Sequence, residues 1–325
     1  MVTYHDQRFD HHLVDLVEMK RLGTLAANIF FPALSSHDLK LLMGGFSNAN
    51  FFVENRFGRY VIRVHSSGAS IALREKVLLS TILPKHEIIA PKWLDMCLID
   101  GVTSISLVEF CEGEALVKGL QDGKTSRDAL FNVGQSLAHI HSIKFECTGL
   151  INEQGTVKAG QWNFLEPWPK FFRSALNGRA GKRMGARRLA TLIETVETHW
   201  PQIVAALTGP VLVHGDYNPK NILLAGERPI VLDWEFAHSG HFLTDLGNLF
   251  RFDEWGEDQS QIIVAGYESE YGLLPENWRD LSRVLDLYNM VEFLDRSREL
   301  PKTFQTALEI MDNTFLQLNR GENLR

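Results

Sequence analysis

Two carboxylates and a carboxamide stand close together late in this 325-residue chain: Asp216, Asn221 and Asp233, in the stretch VLVHGDYNPKNILLAGERPIVLDWEFAHSGHFLTDLGNLF from Val211 to Phe250. Asp216 and Asp233 each follow an apolar run that reads as a strand, and Asn221 lies between them at the end of the loop. The first strand ends at His214, the second runs from Ile222 to Leu224, and a turn at Ala225 to Arg228 leads into a third that ends at Asp233. A hairpin there would bring all three groups into one small volume. Oxygen ligands of this kind suit Mg²⁺, which takes one or two carboxylates and completes its shell with water and substrate phosphates. The chemistry implied is phosphoryl transfer.

The segments His214-Gly215-Asp216-Tyr217-Asn218-Pro219-Lys220-Asn221 and Val231-Leu232-Asp233 resemble the catalytic segment of the aminoglycoside and choline phosphotransferase family, small-molecule relatives of protein kinases. The resemblance implies that Asp216 orients and deprotonates an acceptor hydroxyl, while Asn221 and Asp233 hold Mg²⁺ against the phosphates of ATP or GTP. It also implies that His214 packs under the loop. Asp245, in Thr244-Asp245-Leu246-Gly247, would anchor the loop by accepting its backbone N–H groups; on its own it reads as a helix N-cap.

Upstream, strand and turn signals dominate from Leu41. Gly44 and Gly45, with Ser47 and Asn48 after them, read by themselves as a plain hairpin turn, and by resemblance as the loop that covers nucleotide phosphates. Arg63, in the strand Tyr60 to Val64, occupies the place where a kinase fold puts a phosphate-contacting Lys, and Glu75 on the helix Ser70 to Leu83 matches its partner. Arg keeps the charge but presents a planar fork, and the bland reading of the two is an exposed ion pair. The β-forming run Thr103 to Phe110 leads into a Gly-containing turn that resembles an interlobe hinge, where the backbone of Glu109 and Cys111 would meet the nucleobase.

Composition frames these readings. The chain is 45% hydrophobic and 22% charged, with 33 Lys and Arg against 40 Asp and Glu and a net charge of −7. Such a balance argues against a general nucleic-acid or anionic-membrane binder and is compatible with a cationic substrate. Three cysteines without C-x-x-C spacing read as reduced thiols. With no apolar run near the length of a membrane span and no signal-peptide pattern at the start, a cytoplasmic protein is expected.

After the expected hinge the periodicity is helical. Ser126 to Ile143 carries apolar residues at helical spacing with a cap at Thr125 or Ser126, and His141 near its end reads as a packed structural residue. The basic run from Arg179 to Arg188 lacks interleaved aromatics and reads as a solvated helix start. The histidines His5, His11 and His12 read as surface residues, and the role of the opening helix is not legible.

The expectation is an α/β, two-lobed, protein-kinase-like fold with a small antiparallel-sheet lobe and a larger, mainly helical one. The lobes would be residues 1–108, with 1–40 as a helical extension, and residues 115–325, joined by a hinge at 109–114. Asp233-Trp234-Glu235 in place of D-F-G, with no A-P-E segment, sets it apart from protein kinases. The acceptor would be a small hydroxylated molecule, with a cationic, aminoglycoside-type compound the leading choice beside choline, amino-acid, sugar and macrolide acceptors. A nucleotide-binding module without turnover is the alternative of another class.

Overall fold

The computed structural model describes residues 16–32, 39–42, 48–65, 69–99, 103–158, 166–252 and 255–322. Gly44, Gly45 and Ser47 lie outside the described residues, as do the three N-terminal histidines. Among those described, no helix is long and apolar enough to cross a membrane.

The N-terminal part is a five-stranded antiparallel sheet in the order β1-β2-β3-β5-β4, with β1 Leu39–Leu42, β2 Asn48–Asn55, β3 Gly58–His65, β4 Trp93–Ile99 and β5 Thr103–Glu109. Alternation along β2 and β3 gives the sheet its dry face: Phe51, Val53, Ile62 and Val64 are buried there with Ile105 of β5. That face is covered by α1 (Leu16–Phe30), whose Leu22, Ala26 and Ala27 are buried against it. The opening helix is thus the lid of the sheet's own core. Helix α2 (Ala69–Val77) continues through a π-helical turn, Leu78–Ile82, into α3 (Leu83–Lys85).

From β6 (Glu114–Ala115) the chain is mainly helical, with α4 (Leu116–Gln121), α5 (Arg127–His141), a short β7 (Gly149–Leu150), α6 (Lys170–Asn177) and α7 (Arg179–Ala206). Ser126 caps α5 by accepting the Ala129 N–H at 3.1 Å. Then come β8 (Val211–Val213), the hairpin β9 (Ile222–Ala225) and β10 (Arg228–Val231), and β11 (His238–Gly240). Helices α8 (Leu243–Leu249), α9 (Glu257–Tyr271), α10 (Trp278–Asp295) and α11 (Pro301–Glu322) complete the chain. Strand β9 lies between β10 and β6, and β11 lies between β7 and β8. The fold is therefore an antiparallel sheet followed by a mainly helical region, the two-part kinase-like class expected from the sequence.

The basic run starts a helix, as expected, but some of its arginines are tied to the rest of the protein. Arg183 donates to the carbonyls of Leu294 and Arg296, both at 2.7 Å, and Arg188 grips Asp312 with two bonds of 2.7 and 2.8 Å. Those arginines tie α7 to α10 and α11. The run extends α7 back to Arg179, and a non-helical Gly185 kinks it.

Helix α5 underlies the loop between β8 and β9, with Tyr217 Oη donating to the Val133 carbonyl at 2.9 Å. It meets α9 backbone to backbone. A β-carbon on Gly134 would collide with the Ile263 carbonyl oxygen, and one on Gly266 with that of Phe131. Gly134→Ala is expected to cost at least about 1–3 kcal/mol of stability, the range for overpacking. An unchanged midpoint in chemical denaturation would mean that the two helices are not this close.

Candidate active site

The β9–β10 hairpin pairs Ile222 with Val231, so Asn221 and Leu232 follow as neighbours, and the Leu232 N–H donates to the Asn221 carbonyl at 2.8 Å. That contact sets Asn221 beside the chain just ahead of Asp233. Asn221 Nδ2 reaches Asp216 Oδ2 at 2.8 Å, and Asn218 Nδ2 reaches Asp216 Oδ1 at 2.7 Å. Both carboxylate oxygens of Asp216 are thereby aimed. The turn that allows this is Gly215, at φ +82°, where a β-carbon would lie 2.6 Å from the Phe236 carbonyl oxygen.

The loop is held from below. Asp245, fully buried on α8, accepts the N–H of His214 at 2.7 Å and of Gly215 at 2.9 Å, and faces His141 Nε2 at 3.1 Å. Burial alone would raise its pKa, but the hydrogen bond and charge interaction with His141 and the loop N–H donors hold it below the usual aspartate value. His141 Nδ1 meets Tyr267 Oη at 2.8 Å. His214 is buried and neutral, since burial lowers its pKa. Its Nε2 donates to the Leu232 carbonyl at 2.8 Å, while Nδ1 accepts the Asp216 N–H at 3.2 Å. One imidazole thus ties the segment of Asp216 to that of Asp233.

Asp233 itself is left-handed, φ 65° and ψ 66°, a conformation costly for a residue with a side chain and one that clusters at functional sites. Its Oδ1 lies 3.0 Å from Arg63 Nη1 but accepts no aligned hydrogen bond. Arg63 is nearly buried and also bonds Glu75 Oε1 at 2.6 Å and Asn50 Oδ1 at 3.0 Å. The surface-pair reading is thus set aside. Although burial disfavours the guanidinium's charge, Glu75, Asp233 and Glu235 overcome that and hold the Arg63 pKa above its ordinary value.

Carboxylates crowd here. Burial, with Asp233 adding to it and Arg251 opposing, pushes Asp216 up to about 7. Burial and Asp233 push Glu235 to about 8. Two carboxylates with an amide oxygen, a buried Asp233 oxygen without an aligned donor, and neighbouring acids whose pKa values Asp233 raises form an oxygen-donor set that Mg²⁺ would fit. No group of three His, Cys, Asp or Glu that could hold a metal occurs among the described residues.

Asp216, Asn221 and Asp233 line one cavity of about 590 Å³, together with Arg74, Lys220 and Glu235. Asn48 is placed near them, its Nδ2 donating to Glu235 Oε2 at 2.7 Å. Glu109 and Cys111 are not in the wall of that cavity; Glu109 gives its N–H to the Lys92 carbonyl at 2.9 Å, and its own carbonyl faces Cys111 Sγ at 4.0 Å. Sequence reasoning missed Asn218 and the buried Arg251–Asp286 pair, with contacts of 2.7 and 2.6 Å. Asn218 had a signal, an Asx residue two places after the aspartate in a tight loop. The pair had none, because its members are 35 residues apart, one in the bend after α8 and the other on α10.

Residues 38–283 match the phosphotransferase enzyme family, and the chain belongs to it. A curated relative, acyl-CoA dehydrogenase family member 11 of Pongo abelii, is 24% identical over 251 residues. That match covers 71% of this chain and 30% of the relative, so the chain spans under a third of that protein's length. Among solved structures, the GDP complex of a mutant aminoglycoside 2′-phosphotransferase-IIIa aligns with a TM-score of 0.69 and 15% identity, over 94% of this chain and 99% of that one. A thermostable mutant of aminoglycoside phosphotransferase APH(4)-Ia, in ternary complex with AMP-PNP and hygromycin B, aligns at 0.64 and 19%, over 90% and 98%. These likenesses show the fold.

Two outcomes follow from the geometry. Arg63→Ala leaves Glu75 buried and unpaired and should lower stability by about 3–5 kcal/mol, with Arg63→Lys recovering part of it, as read by denaturant titration. Asp216 has its pKa raised in the folded state, so its contribution to stability is fully present below about pH 4 and is lost as pH rises to about 7. Asp216→Asn should therefore unfold a few degrees higher than the parent at pH 8 without Mg²⁺, with the gap narrowing toward pH 4. A pH-independent gap in thermal scans would contradict this.

Proposed function

We propose that this chain transfers the γ-phosphate of ATP or GTP to a hydroxyl of a small molecule, with Asp216 aligning that hydroxyl and taking its proton. The observation that carries the reading is the aimed carboxylate of Asp216 at the same cavity as Asn221, Asp233 and the cations Arg74 and Lys220. Phosphoryl transfer runs through a loose transition state, so positioning and charge compensation do most of the catalysis. A base whose pKa lies at about 7 is matched to neutral pH.

Asn221 and Asp233 would hold Mg²⁺, which supplies positive charge against the phosphates. Arg63, steadied by Glu75, would face the α- and β-phosphates in place of the usual Lys. The loop with Gly44, Gly45 and Ser47 would cover the phosphates, Asn48 would brace it through Glu235, and the backbone at Glu109 and Cys111 would take the base. Relatives bear names with both adenine and guanine nucleotides, AMP-PNP and GDP, which keeps ATP and GTP together as donors.

The test is a panel of hydroxylated metabolites with Mg²⁺ and ATP or GTP in parallel. The parent should phosphorylate at least one, with a rate that falls as pH drops below about 7. Asp216→Asn should bind Mg²⁺-nucleotide in calorimetry like the parent but turn over roughly 100-fold more slowly or worse. Asp233→Ala should abolish Mg²⁺-dependent turnover. Equal rates in parent and Asp216→Asn would remove the aspartate from the chemistry, and nucleotide binding without transfer to any acceptor would favour a binding module.

A further inference from the structure

Away from the phosphate end the cavity opens between α6, α7 and α10 into a wall of rings. Tyr288 is at its centre, with ring centroids 4.6 Å from Phe172, 5.7 Å from Trp168 and 6.2 Å from Trp200. Phe171, 55% exposed, lines the cavity and lies 5.2 Å from Phe172. Leu285, Phe293 and Leu300 also line the cavity.

Charges in this part of the wall come in neutral pairs. Glu166 is bound by Arg173 at 2.8 Å and Glu292 by Arg296 at 2.9 Å. Arg251 is clasped by Asp286. Among the described residues lining the cavity, the other acids are Asp216, Asp233 and Glu235, all at the phosphate end. A polycation would find no carboxylate in the aromatic chamber that lacks an arginine, while giving up the water around its ammonium groups.

We propose that the acceptor is a hydroxylated molecule with a neutral, apolar body, its hydroxyl at Asp216 and its body against Phe171, Phe172 and Tyr288. This rests on the phosphoryl-transfer reading and departs from the cationic acceptor expected from the sequence. Net charge described the whole surface, whereas the chamber is lined by rings and paired charges. Ring faces also suit a single quaternary ammonium, but Phe171, Phe172, Tyr288 and Trp200 together with Leu285, Phe293 and Leu300 offer a longer apolar wall than a small head group covers.

Vicinal alkanediols from butane to decane test this by titration of the intact chain, read by tryptophan fluorescence, since Trp200 lines the cavity. Each added methylene should tighten binding roughly three- to fourfold until the chamber is filled. Kanamycin and choline should bind more weakly than decanediol. Phe171→Glu, at an exposed position that does not threaten folding, should weaken decanediol at least about tenfold by placing an unpaired charge in the chamber, and Phe171→Leu should restore it. Affinity independent of chain length, tighter binding of kanamycin or choline, or a Phe171→Glu variant with unaltered diol affinity would each overturn the proposal. Chain-length-dependent binding with no phosphate transfer to any diol would support the chamber's assignment while counting against the transferase reading, so the two fail separately.

Discussion

A carboxylate with no exposure to water has to be saturated by donors, and the demand of Asp245 organises this molecule. It draws in two consecutive loop N–H groups and one imidazole, and thereby turns a flexible stretch between β8 and β9 into a fixed platform. Gly215 can be there because it alone tolerates both the positive φ and the closeness of Phe236. His214 then transmits the order across the hairpin to Leu232, one residue before Asp233. The Asp216 end of the cavity is rigid because buried polar groups leave it few other ways to be satisfied.

The sheet joins this platform through charge and hydrogen bonding as well as through apolar contact. Asn48 of β2 holds the Glu235 side chain, Arg74 of α2 donates to the Glu235 carbonyl at 3.0 Å, and Arg63 of β3 reaches Asp233. All three land on the short turn Asp233 to Phe236. The half that would carry nucleotide therefore meets the half that would carry the metal at one place, where Glu75, Asp233 and Glu235 gather around Arg63 and Arg74.

Much of the catalytic hairpin was legible because its signals are local. Apolar triplets bounded by turn residues fix strands within a residue or two, and carboxylates at strand ends show at once which way the chemistry faces. The pairing of Arg63 with Glu75 was also legible, but its burial was not, because β2 and the turn after β10 supply the cover. Helix α1 stayed opaque for a similar reason: its partners, such as Phe51, Ile62 and Ile105, are spread along three strands, so no window of sequence contains the contact. The ties made by the arginines of α7 were missed because their acceptors on α10 and α11 lie over a hundred residues away. The cavity's aromatic wall escaped for the same cause, since Phe172, Trp200 and Tyr288 read individually as ordinary core residues.

The left-handed backbone of Asp233 sets a limit on improving this protein. Replacing a positive-φ residue by glycine is a routine way to gain stability, and a selection scored only on heat resistance would favour Asp233→Gly. The same change would strip a carboxylate from the proposed Mg²⁺-binding set. Thermal robustness and turnover therefore pull in opposite directions at this position, and variants bred for one should be sorted by whether they leave it alone.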